Sequence, residues 1–175
     1  MKKILFLALF LNSIFLGVAY SDDITETRGL AVQEASLGNT RFSFVNFQSL
    51  LEVYPTSMYT QDALFATGEY YFLIGDQRNA AESFMHLVND FPGYKGEIFA
   101  LVYLLKLAQL RGQTNLANEL QNKIVAYKRP VSLFRHTKKY IFTSPMYRKY
   151  KVIYHPNSVE FSVDGHPFMK IPRQD

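Results

Sequence analysis

The sequence predicts a mainly α-helical fold, in which a stack of three helical hairpins is followed by a small C-terminal β-meander. A pattern of apolar and small residues recurs at a fixed offset of 37 residues, so that Phe47–Pro55 returns as Phe84–Pro92. After Tyr127 the helical pattern gives way to strand-like alternation. A period of this length is typical of stacked supersecondary units, which bury their apolar faces against one another.

The first 21 residues are predicted to be an export signal and not part of the fold. Lys2 and Lys3 precede the apolar run Ile4–Val18, which is the pattern of a cleaved secretory signal. The alternative is a membrane anchor, but a run of about 15 residues is shorter than the roughly 20 that span a bilayer. We therefore expect an exported protein, periplasmic or secreted, with a signal peptide (1–21), a repeat domain (22–128) and a basic β-rich module (129–175).

The composition excludes some chemistry and divides the chain by charge. There is no cysteine, which excludes disulfides, thiol catalysis and a lipid anchor on cysteine. The net charge of +4 combines +2 from Lys2 and Lys3, −5 over residues 22–127 and +7 over residues 128–175. The basic character thus belongs to the C-terminal quarter, and the repeat region is mildly acidic.

The middle repeat unit carries the clearest pattern. Ala63–Leu73 has helical spacing, a break follows, and a second helical stretch ends before Pro92. Its signature residues are Leu64, Gly68, Tyr71, Gly75, Ala80, Phe84 and Pro92. At this spacing they resemble the tetratricopeptide repeat (TPR), and the resemblance covers about residues 24–128. It implies three TPR-like hairpins forming a right-handed α-solenoid, with degenerate outer units as caps.

The stretch Tyr54–Tyr70 also resembles the repeat variant of bacterial periplasmic and outer-membrane-assembly TPR proteins. This resemblance implies an exported, non-catalytic scaffold or adaptor that mediates protein–protein interaction in the bacterial cell envelope. In this family the first helix of each hairpin lines a groove that binds another protein or a peptide segment. Carried over to this chain, the groove consists of Arg28, Val32, Asp62, Phe65, Glu69, Phe72, Phe99, Val102, Lys106 and Gln109. The alternative is that the three phenylalanines are packed core.

The C-terminal quarter has its own pattern. Lysine and arginine occur eight times over residues 128–151, without one aspartate or glutamate and with aromatic residues between them. Nucleic acid is not expected as a partner, because the chain is expected to be exported. Anionic lipid or wall polymer attracts the same charge, as does the acidic repeat region. The alternative function is therefore an envelope-surface or cell-wall-binding protein that acts through this basic module.

Three strands are predicted in this module, around Lys151–Tyr154, Val159–Val163 and Phe168–Ile171, with Tyr140–Phe142 as a candidate fourth. Asp164-Gly165 is a strong signal for a two-residue hairpin turn. A sheet this small needs an apolar surface to pack on, and the helical region is the nearest one.

Catalytic and metal-binding patterns are not expected from this sequence. No phosphate-binding glycine loop, nucleophile motif or His-rich zinc motif occurs. His155 and His166 flank a predicted hairpin, but a zinc site needs three or four ligands. His86 stands four residues before Asp90, which favours an ordinary ion pair on a helix surface. We therefore expect no enzyme activity, no cofactor and no metal.

Overall fold

The computed structural model describes residues 23–127 and 138–173. The predicted export signal, residues 1–21, lies outside the described residues. The described part is mainly helical and ends in an antiparallel sheet, as the sequence predicts. The helices are α1 (23–36), α2 (Thr40–Val53), α3 (Thr60–Leu73), α4 (Gln77–Asp90), α5 (Glu97–Leu110) and α6 (Thr114–Ala126). From α2 onward each helix packs against the next one along the chain.

The 37-residue period is visible in the helix boundaries and in the turns between them. Helices α2, α4 and α6 begin at Thr40, Gln77 and Thr114, each 37 residues after the last. The glycine that precedes each start has a positive φ, 81° at Gly38, 81° at Gly75 and 66° at Gly112. In each turn the glycine N–H donates to the carbonyl three residues back, and the next N–H donates to the carbonyl five residues back. This is the Schellman motif, which satisfies the last carbonyls of a helix and favours glycine.

The middle hairpin is held together by a close approach of its two helices. A Cβ atom added to Gly68 on α3 would lie 2.8 Å from the ring of Phe84 on α4. Ala80 is completely buried on the same face of α4. The packing of α3 on α4 therefore requires small residues at positions 68 and 80, because a larger side chain would separate the helices.

The C-terminal residues form a four-stranded sheet in which every neighbouring pair is antiparallel. The strands are β1 (Lys138–Thr143), β2 (Lys149–Tyr154), β3 (Ser158–Val163) and β4 (His166–Pro172), in the order β1-β2-β3-β4. The candidate strand at Tyr140–Phe142 is thus confirmed as part of β1. Asp164 and Gly165 connect β3 to β4 with φ of 52° and 83°, as a two-residue primed turn requires.

One apolar core joins the helices to the sheet. It extends without interruption from Leu64 on α3 to Ile171 on β4. Alternate strand residues point into this core, among them Phe142, Tyr150 and Phe161, because successive side chains of a strand face opposite sides. None of the helices within residues 23–127 is long and apolar enough to cross a membrane.

Candidate functional site

The sheet covers the helix side on which the sequence placed the centre of the groove. Phe65 and Glu69 on α3 have no exposed surface, and Phe99 and Val102 on α5 are 2% and 1% exposed. Phe65 lies edge-on to two rings of the sheet, with centroid distances of 5.1 Å to Phe142 and 5.6 Å to Tyr150. Four of the predicted groove residues are therefore packed beneath the chain's own sheet.

The aromatic contacts continue along α5. The Phe99 ring lies 5.0 Å from Tyr150 and 5.8 Å from Phe142, between ring centroids. Tyr103, one turn further on, lies 5.0 Å from Phe168 of β4. Aromatic pairs at these separations contribute about 0.5–1.5 kcal/mol each beyond the area they bury. The sheet is thus bound to α3 and α5 by a layer of rings.

The remaining predicted groove residues are divided between the rim of this layer and the ends of the helices. Phe72 is half-buried and reaches the sheet through Phe168, at 6.0 Å between centroids. Val32 is half-buried and packs against a second core cluster, around Phe47. Lys106 is half-buried and Gln109 is exposed near the end of α5.

Arg28 and Asp62 belong to a polar cluster at one end of the groove. An Asp62 carboxylate oxygen lies 3.3 Å from Arg28 of α1, and the other lies 3.3 Å from Lys95 and 2.8 Å from the Tyr94 hydroxyl. The Arg28 guanidinium also stacks over the Tyr59 ring at 4.8 Å. Asp62 stands in the first turn of α3, where the helix dipole favours a negative charge. The cluster links α1, α3 and the segment before α5.

At the centre of the covered groove a fully buried acid contacts two phenols. The Tyr150 hydroxyl donates to Glu69 Oε1, and the Tyr103 hydroxyl lies 2.7 Å from the Tyr150 hydroxyl. Since Tyr150 has one proton and gives it to Glu69, Tyr103 is the donor of the second bond. The other oxygen of Glu69, Oε2, has no hydrogen-bond partner among the described residues.

Burial decides the protonation of this network. It raises the pKa of Glu69 to about 8, against the opposing effects of the hydroxyl groups of Tyr150 and Ser144. A pKa in this range keeps most Glu69 carboxyl groups protonated at neutral pH. Burial also raises the pKa of Tyr103 and of Tyr150, so both phenols keep their protons. Two charged residues of the sheet also act on the pKa of Glu69. Arg148, in the β1–β2 hairpin, lowers it, and Asp164, in the β3–β4 turn, raises it.

The β1–β2 hairpin extends the contact to α1 and α2. Its Met146 is 4% exposed and packs in the second core cluster, with Ala31 and Phe47. The Ser43 hydroxyl of α2 lies 3.1 Å from the sulfur of Met146. The neighbouring Tyr147 is 53% exposed at the hairpin tip.

Sequence reasoning missed the residues that bring the sheet into the groove, chiefly Tyr94, Tyr103 and Tyr150. One signal was available: Tyr103 stands 37 residues after Ala66, so a large ring replaces a small residue at a repeat position. The two histidines expected to flank a hairpin lie at opposite ends of β3 and do not meet. His86 pairs with Asp90 at 2.9 Å, as predicted.

The other face of the sheet is open and basic. Lys139, Lys149 and Lys151 are exposed there, and none of them forms an ion pair within residues 23–127 and 138–173. Two isoleucines alternate with the lysines across the strands: Ile141 faces Lys151, and Lys139 faces Ile153. We call these five residues, Lys139, Ile141, Lys149, Lys151 and Ile153, the basic face.

A cleft of about 570 Å³ lies beside the basic face, toward β4. Its lining joins Lys151, Ile153 and the acid Glu160 to the β4 residues Met169 and Lys170. Across the part of the chain that the structure describes, no three His, Asp or Glu side chains are grouped to hold a metal ion. No protein-family model matches this chain, and no curated protein matches its sequence significantly.

Proposed function

We propose that this chain is an exported, non-catalytic binding protein of the bacterial cell envelope that engages an anionic envelope surface through its C-terminal sheet. In this proposal the helices are TPR-like hairpins of a right-handed α-solenoid, and their groove supports the sheet. The observation that carries the proposal is the covered groove. Phe65, Glu69 and Phe99 are buried by the chain's own sheet, whereas the lysines of the basic face are exposed and form no ion pair among the described residues.

Two features support the repeat assignment within this proposal. The Schellman turns at Gly38, Gly75 and Gly112 share one geometry. Gly68 and Ala80 stand at the helix crossing, where the TPR resemblance requires small residues. Export is supported by the pattern of the first 21 residues.

The experiment is a salt titration of binding. The protein is mixed with anionic vesicles and, separately, with isolated wall polymer, and the bound fraction is measured as the ionic strength rises. Binding through exposed lysines is expected to weaken steeply with salt, because exposed charges are screened beyond about 10 Å at about 0.1 M. Absence of binding to both materials at low salt contradicts the proposal.

A second candidate is the protein–protein scaffold. It is favoured by the chemistry of the covered groove, which already accepts a layer of aromatic side chains held around one titratable acid. A partner protein would bind there in exchange for the sheet. Salt-tolerant capture of one envelope protein, strengthened when Phe142→Ala loosens the sheet, is the result expected for the scaffold.

A further inference from the structure

We propose that the basic face docks on a lipid bilayer that bears phosphate headgroups, with its lysines among the headgroups and its isoleucines at the boundary with the acyl chains. This inference rests on the proposed function and names its partner. Lys139, Lys149 and Lys151 supply the charge, and Ile141 and Ile153 supply the apolar contact.

The first step of the argument is charge. Two further basic residues of this module are already engaged: Arg148 pairs with Asp164 at 2.9 Å, and Lys170 pairs with Glu160 at 2.8 Å. Glu160 also lies 3.2 Å from His155. Two acids lie beside the basic face, since Glu160 stands opposite Ile153 and Asp164 accepts from the backbone N–H of Lys149. Both are committed to the partners just named, and the three lysines keep their positive charge without an ion pair among the described residues. The complementary occupant is anionic.

The second step is the position of the apolar side chains. Ile141 is 55% exposed and stands directly opposite Lys151 in the β1–β2 pairing. Ile153 lies opposite Lys139 on the same face and lines the cleft with Met169. A soluble polyanion would neutralise the lysines and leave these apolar groups in water. A bilayer surface takes both, because lysines and arginines favour the headgroups while apolar side chains enter the boundary region.

The third step is the orientation that the fold imposes. The opposite face of the sheet is bound to α3 and α5 by aromatic contacts, so the basic face points away from the helices. The β1–β2 hairpin also carries Tyr147, 53% exposed at its tip. Tyrosine is enriched where membrane and water meet, since its ring is apolar and its hydroxyl polar. The sheet can thus meet a flat surface without any change in the helical region.

The test uses the full chain and two kinds of vesicle, phosphatidylcholine alone and phosphatidylcholine with phosphatidylglycerol. The apolar segment Ile4–Val18, if retained, would bind both kinds, so the readout is the difference between them. We expect Lys149→Gln with Lys151→Gln to lower partitioning onto anionic vesicles about thirtyfold, since each lysine near such a surface contributes about fivefold. The matched control is Arg78→Gln with Lys123→Gln, two exposed positions on α4 and α6, which changes the net charge equally and is expected to retain the preference.

Insertion is tested with a fluorescent side chain, because the chain has no tryptophan. In Ile141→Trp the indole stands on the basic face, and in Met58→Trp it stands on the loop before α3, where Met58 is 79% exposed. We expect anionic vesicles to shift the emission of Ile141→Trp to shorter wavelength and brominated lipids to quench it, with Met58→Trp unchanged. Circular dichroism and melting temperatures establish that each variant is folded.

The outcomes separate this inference from the function on which it rests. Equal losses in the lysine pair and in its control would show that the chain binds surfaces elsewhere, which overturns the site. Salt-sensitive binding to lipid-free wall polymer, with no response of Ile141→Trp to vesicles, would overturn the membrane and leave a polymer as the partner. If the parent protein binds neither vesicles nor polymer, the proposed function itself fails.

Discussion

The carboxyl group of Glu69 has no exposed surface, and its Oε2 atom has no hydrogen-bond partner among the described residues. A buried polar group without a partner costs about 1–3 kcal/mol, and more when it is charged. The molecule lowers this cost by keeping the acid protonated, which is the meaning of its raised pKa of about 8. Docking of the sheet and the uptake of one proton are therefore linked.

This linkage predicts how stability depends on pH. The folded protein holds a proton on Glu69 between pH 4.5 and about 8, where the unfolded chain has released it. The contribution of this group is thus fully present below the unfolded pKa and is lost as pH rises through the folded pKa. We expect the free energy of unfolding to fall by up to about 1.4 kcal/mol per pH unit within this window.

The matched variant is Glu69→Gln, which keeps an acceptor for Tyr150 and cannot ionise. Its unfolding free energy, measured by urea titration at pH 6 and at pH 8, is expected to change less than that of the parent protein. Parallel pH profiles for the two proteins would show that Glu69 is charged in the folded state.

Gly68 sets the distance between α3 and α4, and its substitution tests the helix crossing. The ring it faces, Phe84, is confined by Phe65 at 5.6 Å and by Tyr103 at 4.7 Å between centroids. Overpacking of this kind costs about 1–3 kcal/mol, so Gly68→Ala is expected to lower the melting temperature. The control is Gly29→Ala on α1, which meets no atom within 4 Å and should stabilise the helix by about 0.5–1 kcal/mol. A stabilised Gly68→Ala would contradict the close approach.

At the scale of elements, β1 has one face in the core and one in solvent. Substitutions on the two faces therefore test whether the sheet is packed against the helices. Phe142 is 4% exposed among Phe65, Phe99 and Tyr94, whereas its neighbour Ile141 is 55% exposed. We expect Phe142→Ala to cost about 3–5 kcal/mol in the free energy of unfolding and Ile141→Ala less than about 0.5 kcal/mol. Chemical denaturation measures the free energy of unfolding of each variant. Similar losses in the two variants would mean that the sheet is not packed against the helices.

The turns between elements are the part of the fold that the sequence predicts best. The glycines at positions 38, 75 and 112 act within their own turns, so a repeated letter is enough to locate them. Asp164-Gly165 is equally local, because both residues adopt the positive φ that the hairpin needs. The placement of the sheet could not be predicted in the same way. Glu69 and Tyr150 meet across 81 residues, and no periodicity in the sequence connects an acid on a helix to a phenol on a strand.

The candidate site shows the same division. The TPR resemblance identified Phe65, Glu69 and Phe99 as groove-facing, and the structure places them under one layer of rings. The resemblance implies that another protein binds in this groove, whereas the structure places the chain's own sheet there. A sequence pattern can indicate a binding surface without indicating which chain binds to it. Whether a separate partner replaces the sheet stays a prediction.

For the whole molecule, the shared core predicts that neither part is stable alone. Ending the chain after Tyr127 would remove the sheet that covers Phe65, Phe99 and Tyr103, and this shortened chain is expected to melt at a lower temperature and to associate. Residues 128–175 contain no cysteine and are close to the length below which small domains need a disulfide or metal. We therefore expect the isolated fragment to be unfolded. Dispersed amide resonances from it would contradict this dependence.

The long sequence separation of the docking contacts has a consequence for the order in which the molecule is completed. Neighbouring helices meet through local contacts, whereas the Ser43–Met146 contact spans 103 residues. Local contacts form sooner than distant ones, and a chain leaves the ribosome or a translocation pore with its N-terminal part first. The helices therefore emerge and associate while the strands that cover Phe65 and Phe99 have yet to appear. Throughout that interval the nascent protein exposes these aromatic side chains. The time between the emergence of α5 and that of β3 is therefore when the chain is most prone to aggregate and to bind chaperones.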